Sequence, residues 1–329
     1  MKHGGDLTEA ILRYGGEAAD WLDLSTGINP WAYPFGDIGA DAWQRLPSRA
    51  DERTLLNVAR KNYRIPEGVD LVAAPGTQAL IQWLPQLAAN GPVAIVGPTY
   101  NEHAPAWRNA GHEVIEIPDL AALPADAVHA VIVNPNNPDG RIADHATLAA
   151  IAARLHQRGG WLLIDEAFAD IDPAIGAAAL CEKLPVVILR SFGKFYGLGG
   201  LRLGFAVAAP AIIHRIATAL GSWAVSGPAL QVGAQALADD AWANHMRAHL
   251  AEHTTRLDFV LTQAGGRVIG GTSLFRFVRH PDARYLHVQL ARQRVWVRKF
   301  DWASDHLRFG LPADDAALGR LADALSTDD

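Results

Sequence analysis

Short apolar runs alternate with longer segments of helical period up to about residue 210. Runs of four to seven apolar residues bounded by Gly, Pro or Asn are typical of buried strands, and the segments between them are typical of amphipathic helices. The alternation predicts repeated βα units around a buried, mostly parallel sheet with helices on both faces, a three-layer αβα architecture of the α/β class. The predicted strands are 70–74, 93–96, 113–117, 130–134, 161–165, 186–190 and 202–207, and the predicted helices are 52–63, 78–89, 101–110 and 144–158.

The pattern changes after about residue 210. Ala-rich helices are predicted over 212–220 and 229–263, followed by strands near 273–278, 295–298 and 307–310 and a last helix. This change predicts a second, smaller α+β domain. Near the other terminus, the segment LSTGINPWAYP cannot continue a helix or a central strand. We therefore predict an N-terminal arm (1–40) that contributes to the small domain and to the active site, a large domain (41–210) and a small C-terminal domain (211–329).

Composition excludes several classes of protein. The 329 residues are 50% hydrophobic and 19% charged, which excludes disorder and a coiled coil. A net charge of -6 provides no global attraction to nucleic acid or acidic lipid. No apolar run follows Lys2 and no later stretch is long enough to span a membrane, so we expect a cytoplasmic protein. The single Cys181 excludes an intrachain disulfide and, within its Ala-rich segment, is interpreted as an inert packed thiol.

Two patterns suggest metal sites but lack the companions such sites need. His245, His249 and His253 recur every fourth residue, yet no HExxH pattern accompanies them. We interpret them as a solvated helix face. The segment WLLIDE (161–166) is similar to a strand that ends in magnesium-binding carboxylates, but the sequence has no GxxxxGK[ST] loop. No metal is therefore expected.

Three loops that follow predicted strands carry unusual polar groups. They read NPNNPDG (134–140), DEAF (165–168) and SFGK (191–194), the last followed by Arg202. Ligands bind at the carboxyl ends of strands in α/β sheets, so these groups are expected to converge. An amine, a carboxylate, an amide donor and a phosphate cradle are what pyridoxal 5'-phosphate needs from a protein.

On these motifs the chain resembles the pyridoxal-phosphate enzymes of fold type I, the class I/II aminotransferase family. NPNNPDG, DEAF and SFGKFYGLGGLRLGF stand in the family's order and with its spacing, and the resemblance extends from about 22 to 325. It implies the fold type I architecture, pyridoxal 5'-phosphate as the cofactor, a homodimer and a small-molecule substrate.

The resemblance also implies roles for individual residues. Lys194 would bind the cofactor covalently, Asp165 would pair with its pyridinium nitrogen, and Asn137 would donate to its phenolate oxygen. The remaining cofactor-binding residues implied are Gly76, Thr77, Tyr100, Ser191 and Arg202. The chain departs from the family pattern at Phe168, where many relatives have Tyr, and at Leu46, where relatives have a Tyr that reaches the neighbouring subunit's cofactor.

The fold does not select the reaction, because fold type I hosts several chemistries. His3-Gly4-Gly5 and the STGINP segment (25–30) resemble the branch of the family that decarboxylates O-phospho-L-threonine to (R)-1-amino-2-propanol O-2-phosphate in cobalamin biosynthesis. This resemblance implies a substrate with a carboxylate and a phosphate. The substrate-binding residues it implies are His3, Gly4, Asn29, Asn137, Arg298 and Arg308. The alternative is a histidinol-phosphate or related aminotransferase, and a cofactor-binding regulator without catalysis is the rival from another class.

Overall fold

The computed structural model describes residues 4–326 of the chain. The helices are α1 (Thr8–Tyr14), α2 (Ala40–Gln44), α3 (Arg49–Asn62), α4 (Thr77–Leu87), α5 (His103–Asn109), α6 (His145–His156), α7 (Phe192–Phe195), α8 (Pro210–Leu220), α9 (Gly227–Ala238), α10 (Asp240–Gln263), α11 (Ala283–Arg292) and α12 (Asp315–Ser326). The strands are β1 (Leu22–Asp23), β2 (Asp70–Ala74), β3 (Val93–Val96), β4 (Val114–Ile117), β5 (His129–Val133), β6 (Leu162–Asp165), β7 (Val186–Ser191), β8 (Gly204–Ala208), β9 (Arg267–Thr272), β10 (Phe275–Arg279), β11 (Val295–Trp296), β12 (Arg298–Phe300) and β13 (Ala303–Gly310).

The larger of two compact units comprises Tyr33–Asn137 and Arg141–Trp242. Its sheet has the strand order β2-β8-β7-β6-β5-β3-β4. The strands from β7 to β4 pair in parallel, and β8 runs antiparallel to both of its neighbours. The prediction of an α/β fold with a mostly parallel sheet is confirmed.

Helices α4, α5 and α8 pack on one face of this sheet. Their contact is a core cluster that includes Leu80, Leu84 and Trp107 from the helices and Val131 and Leu163 from the strands. Helix α6 packs on β6 with residues outside this cluster. Strands β5, β6 and β7 are buried along their whole length, which is why they read as continuous apolar runs in the sequence.

The smaller unit comprises Met1–Ala32, Pro138–Gly140 and Ala243–Asp329. It contains an antiparallel sheet in the order β12-β13-β10-β9 and a short parallel pair of β1 with β11. The division of the chain at 40 and 210 stays a prediction from sequence pattern. Within residues 4–326 no helix has the length and apolar character needed to cross a membrane.

Several elements differ from the prediction, among them the unpredicted helices α1, α2, α7 and α11. Two of the differences have a clear physical cause. Strand β9 was not predicted because its RVIGGT sequence contains two glycines, but a Cβ on Gly270 would lie 2.2 Å from the carbonyl oxygen of Asp139, so the close backbone approach requires glycine there. The single helix predicted over 229–263 is broken at Asp239, whose carboxylate accepts a hydrogen bond from the backbone N–H of Trp242 at 2.9 Å. That side chain caps the start of α10.

Candidate active site

Polar groups collect where neighbouring parallel strands of the larger unit end. Asp165 is the last residue of β6, Ser191 is the last residue of β7, and Asn134 follows β5 directly. The register pairs Val133 with Asp165, so the ends of β5 and β6 lie side by side. The structure thus brings the predicted loops to one edge of the sheet.

Asp165 is buried and held from two sides. Its Oδ2 atom lies 2.9 Å from Nε2 of His103, and its Oδ1 atom accepts a hydrogen bond from the backbone N–H of Ala167 at 3.0 Å. A carboxylate can only accept, so Nε2 of His103 carries the proton of this bond. His103 is completely buried at the start of α5. The side chain of Asp165 is therefore fixed in one orientation before any ligand binds.

His103 is the residue that the sequence reasoning missed. The available signal was its position in the segment TYNEH, three residues after the Tyr100 already expected at the cofactor. Only the fold shows that β6 carries Asp165 to this histidine.

A buried ion cluster ties the ends of β6 and β7 together. Arg190 donates to Oε2 of Glu166 at 2.7 Å and also to Oδ1 of Asp170. Burial disfavours the charge of Arg190, but Asp170 and Glu166 outweigh it and raise the pKa of the guanidinium. Burial raises the pKa of Glu166 against the opposing effect of Arg190. Because Glu166 follows Asp165 and Arg190 precedes Ser191, the cluster sets the spacing of those two site residues.

A small anion cradle lies at the start of α4. Gly76 has φ +82°, and a Cβ on it would lie 2.7 Å from Nη2 of Arg202. A Cβ on Gly204 would lie 2.7 Å from the backbone nitrogen of Thr77. The N-terminus of a helix carries partial positive charge, and here it faces a guanidinium. An anion between them relieves that repulsion, so the donors fit a phosphate group.

In the loop after β5, Asn134 and Asn136 have structural roles, and Asn137 is the candidate for a ligand contact. Asn136 accepts from Oγ1 of Thr99 at 2.6 Å and donates to the carbonyl oxygen of Pro98 at 3.0 Å. Asn134 accepts from the backbone N–H of Ala143 at 2.9 Å. Both side chains hold the loop together. Asn137 is half-buried in the same loop, and its contact with a ligand stays a prediction.

Tyr100 and Lys194 complete the candidate residues of the larger unit. The hydroxyl of Tyr100 donates to Oε1 of Gln78 at 3.3 Å, and burial, followed by Glu102 and Asp165, raises the pKa of Tyr100 to about 12. The phenol is therefore neutral at physiological pH. Lys194 is half-buried on α7, and its Nζ lies 5.9 Å from the ring centroid of Phe168.

Two arginines face each other across neighbouring strands of the smaller unit. Arg298 on β12 pairs in register with Arg308 on β13. Burial and the charge of Arg298 lower the pKa of Arg308 to about 9, and burial lowers the pKa of Arg298. Both shifts disfavour charge, and a bound dianion would reverse them. The pair has the electrostatic character of an anion site.

The N-terminal arm contacts the same sheet. Nη2 of Arg308 donates to the carbonyl oxygen of Ser25 at 2.6 Å, and Oγ of Ser25 accepts from the N–H of Gly5 at 2.9 Å. A Cβ on Gly4 would lie 2.3 Å from the carbonyl oxygen of Ser25, so the close approach requires glycine. The HGG and STGINP segments are thus brought together at Gly4, Gly5 and Ser25, while His3 lies outside the described residues.

Comparisons with known proteins agree with this architecture. The profile of the family described as aminotransferase class I and II matches residues 52–325. A threonine-phosphate decarboxylase from Sinorhizobium sp. is 46% identical over 98% of this chain and 97% of its own length. Another from Pseudomonas aeruginosa is 44% identical over 99% of this chain and 97% of its own.

The chain belongs to the class I and II aminotransferase family. Among solved structures of similar fold is a histidinol-phosphate aminotransferase from Sinorhizobium meliloti in complex with pyridoxal-5'-phosphate. It has a TM-score of 0.83 at 19% identity, covering 97% of this chain and 93% of that one. The predicted family and fold are confirmed.

Phe168 and Leu46, the two positions at which the sequence departs from the pattern of the class I and II aminotransferase family, lie in different environments. Phe168 is 4% exposed and packs beside Lys194 without a hydroxyl to donate. Leu46 is an apolar side chain that is 68% exposed. The roles of the individual site residues stay predictions.

Proposed function

We propose that the protein is a carboxy-lyase that uses pyridoxal 5'-phosphate to convert O-phospho-L-threonine into (R)-1-amino-2-propanol O-2-phosphate and CO2. The observation that carries the proposal is the register pair of Arg298 and Arg308, which suits a substrate with both a carboxylate and a phosphate. Support comes from the relatives at 46% and 44% identity, which are named threonine-phosphate decarboxylase.

The donor set of the larger unit fits pyridoxal 5'-phosphate. The cradle at Gly76, which a Cβ would fill, suits the cofactor's phosphate, with Thr77, Ser191 and Arg202 as further donors. Lys194 would hold the aldehyde carbon, Asn137 would hold the phenolate oxygen, and Tyr100 would stack on the ring. When bound, the cofactor supplies an electron sink for the pair of electrons left at the α-carbon.

The protein's own contribution is charge placement and proton transfer. Asp165, oriented by His103, holds a proton on the cofactor's ring nitrogen, which makes the ring a stronger electron sink. We assign to Nζ of Lys194 the proton that replaces CO2 at the α-carbon. Proton uptake at that carbon balances the loss of CO2 from the carboxylate.

The smaller unit provides the substrate anchors in this proposal. Arg308 binds the substrate carboxylate through a bidentate guanidinium contact, and Arg298 contributes the second positive charge. His3, Gly4 and Asn29 are the neutral donors, joined by Asn137. The positions of these anchors would decide which bond of the substrate's α-carbon is presented for cleavage.

A homodimer is part of the proposal. Its support is a set of large apolar side chains of the larger unit that a monomer would leave in water, with Trp43 at 69%, Leu46 at 68% and Trp223 at 62% exposure. Light scattering on the purified protein measures this assembly.

The reaction is tested directly with purified, cofactor-loaded protein. O-phospho-L-threonine should release CO2 and yield a phosphorylated amino alcohol with no added keto acid, and unphosphorylated threonine should be a poor substrate. Incubation with histidinol phosphate and 2-oxoglutarate is the control for transamination. Steady turnover in that control, without CO2 from O-phospho-L-threonine, would move the assignment to the aminotransferase alternative.

Removing either Arg298 or Arg308 should weaken the use of substrate and leave cofactor binding unchanged. Arg308→Ala and Arg298→Ala should each lower kcat/KM for O-phospho-L-threonine well over tenfold. The reason is that an anionic group of the substrate loses its guanidinium partner, and losing one partner of a buried pair of opposite charges costs about 2 to 5 kcal/mol. The absorbance of the bound cofactor should not change.

Arg279→Ala is the matched control for these variants. Arg279 lies on β10 of the same sheet but is exposed and paired with Asp305. We expect its kcat/KM to stay near that of the parent protein. Cofactor loss from either register-pair variant would contradict the proposed division of roles.

A further inference from the structure

The loop that carries Asn29 is held at its two ends by different elements of the smaller unit. At its start, the N–H of Gly310 donates to the carbonyl oxygen of Leu24 at 2.7 Å, and Arg308 donates to the carbonyl oxygen of Ser25 at 2.6 Å. At its end, the ring of Trp31 lies against α10. Asn29 lies between these attachments and is 2% exposed.

Trp31 rests on two of the histidines singled out in the sequence. Its ring centroid lies 4.4 Å from that of His249 and 4.5 Å from that of His253, and the two imidazole centroids are 4.2 Å apart. These distances place the rings in direct contact, with tilted or edge-on geometries that aromatic pairs favour. Burial, then His249 and Arg256, lower the pKa of His253, so this ring meets Trp31 as a neutral imidazole at neutral pH.

His249 and His253 form a platform beneath Trp31, and the helix that carries them is firmly packed. Helix α10 buries Met246, Leu250 and Leu257 on the face next to the histidines. Thr254 also donates to the carbonyl oxygen of Ser273, which joins the helix to the turn between β9 and β10. The histidine face is therefore more than a solvated surface, because two of its three rings support an arm residue.

A hydrogen bond from the backbone of Trp31 orients the side-chain amide of Asn29. The backbone N–H of Trp31 donates to Oδ1 of Asn29 at 3.0 Å. This bond turns the amide oxygen toward Trp31 and the amide nitrogen away from it. The ring seated on α10 restrains the backbone of Trp31, and without that seat the backbone N–H is free to move away from Oδ1 of Asn29.

We infer that Trp31, seated on His249 and His253, is a positioning residue that fixes the orientation of Asn29 for substrate binding. The inference rests on the proposed function, since it takes Asn29 as a substrate donor. It assigns a role to an arm residue and a pair of histidines that lie outside the proposed catalytic and binding set.

The test compares Trp31→Ala with a conservative variant and a control on the same helix face. Trp31→Ala should raise KM for O-phospho-L-threonine about tenfold or more, the scale expected when a hydrogen bond to a charged group is lost, and leave kcat and the cofactor's dissociation constant near parent values. Trp31→Phe should restore most of the affinity. His245→Ala is the control, because His245 lies on the same helix face but is exposed, and its ring centroid is 6.1 Å from that of His249, against 4.2 Å between His249 and His253.

A double variant keeps the test valid if Trp31→Ala does not fold. His249→Ala with His253→Ala removes the platform but keeps the tryptophan, and it should raise KM in the same direction. Hydrogen exchange of peptides covering 24–31 should become faster in both variants and stay unchanged in His245→Ala. This exchange readout does not depend on the substrate.

The outcomes separate the inference from the proposed function. A parent protein that releases no CO2 from O-phospho-L-threonine overturns the function. A parent protein that does, with an unchanged KM or unchanged exchange in the platform variants, overturns only the role of Trp31.

Discussion

Lys194→Ala should abolish CO2 release from O-phospho-L-threonine, with a loss of about ten-thousandfold or more, because the variant loses both the covalent attachment of the cofactor and the proton donor. Borohydride reduction of the parent protein should leave the pyridoxyl group on the peptide that contains Lys194. The rate of CO2 release and mass spectrometry of the reduced protein are the measurements.

Lys183→Ala is the control for this experiment. Lys183 is exposed and lies on the segment just before β7, so its removal leaves the site intact. We expect parent activity and parent labelling from it. A label found elsewhere, with Lys194→Ala still able to bind the cofactor covalently, would contradict the role of Lys194.

Asp165→Asn should keep the cofactor and lose about a thousandfold or more in kcat, because an amide cannot hold the ring nitrogen protonated by charge and the electron sink weakens. The amide retains the shape of the carboxylate but has a single acceptor oxygen, so it keeps the bond from Ala167 only if Nε2 of His103 gives up its proton and accepts. The cofactor's dissociation constant and kcat should be measured on the same preparation.

Asp172→Asn is the matched control for Asp165→Asn. Asp172 is exposed in the same loop and accepts from the N–H of Ala174 at 2.9 Å. Its kcat should match the parent value. A kcat of Asp165→Asn near that of the parent would remove the electron-sink role from Asp165.

The central sheet could be predicted because its strands are buried on both faces. Strand β5 has only buried positions, so its sequence HAVIV is a continuous apolar run. Strand β9 could not be predicted in the same way. Gly270 is required by the backbone of Asp139, a residue distant in sequence, and Gly271 by the backbone of Phe275, whereas glycine by itself indicates a loop.

The candidate site likewise contains residues that the sequence predicts and residues that it does not. Lys194, Asp165 and Asn137 lie within short motifs whose order along the chain is readable, so the sequence by itself determined the family and the candidate cofactor residues. His103 and Arg190 carry no such motif. Their partners come from other strands and loops, and only packing brings them within hydrogen-bond distance.

What the sequence by itself determined is local, namely the periodicity of the elements, the turn residues and the motif residues at strand ends. What only the tertiary structure decided is which distant groups meet. The register of β12 with β13 places Arg298 opposite Arg308, and the seating of Trp31 on α10 brings it to two histidines. The physical reason is that strand register and ring packing depend on the burial of many side chains at once, and no short segment carries that information.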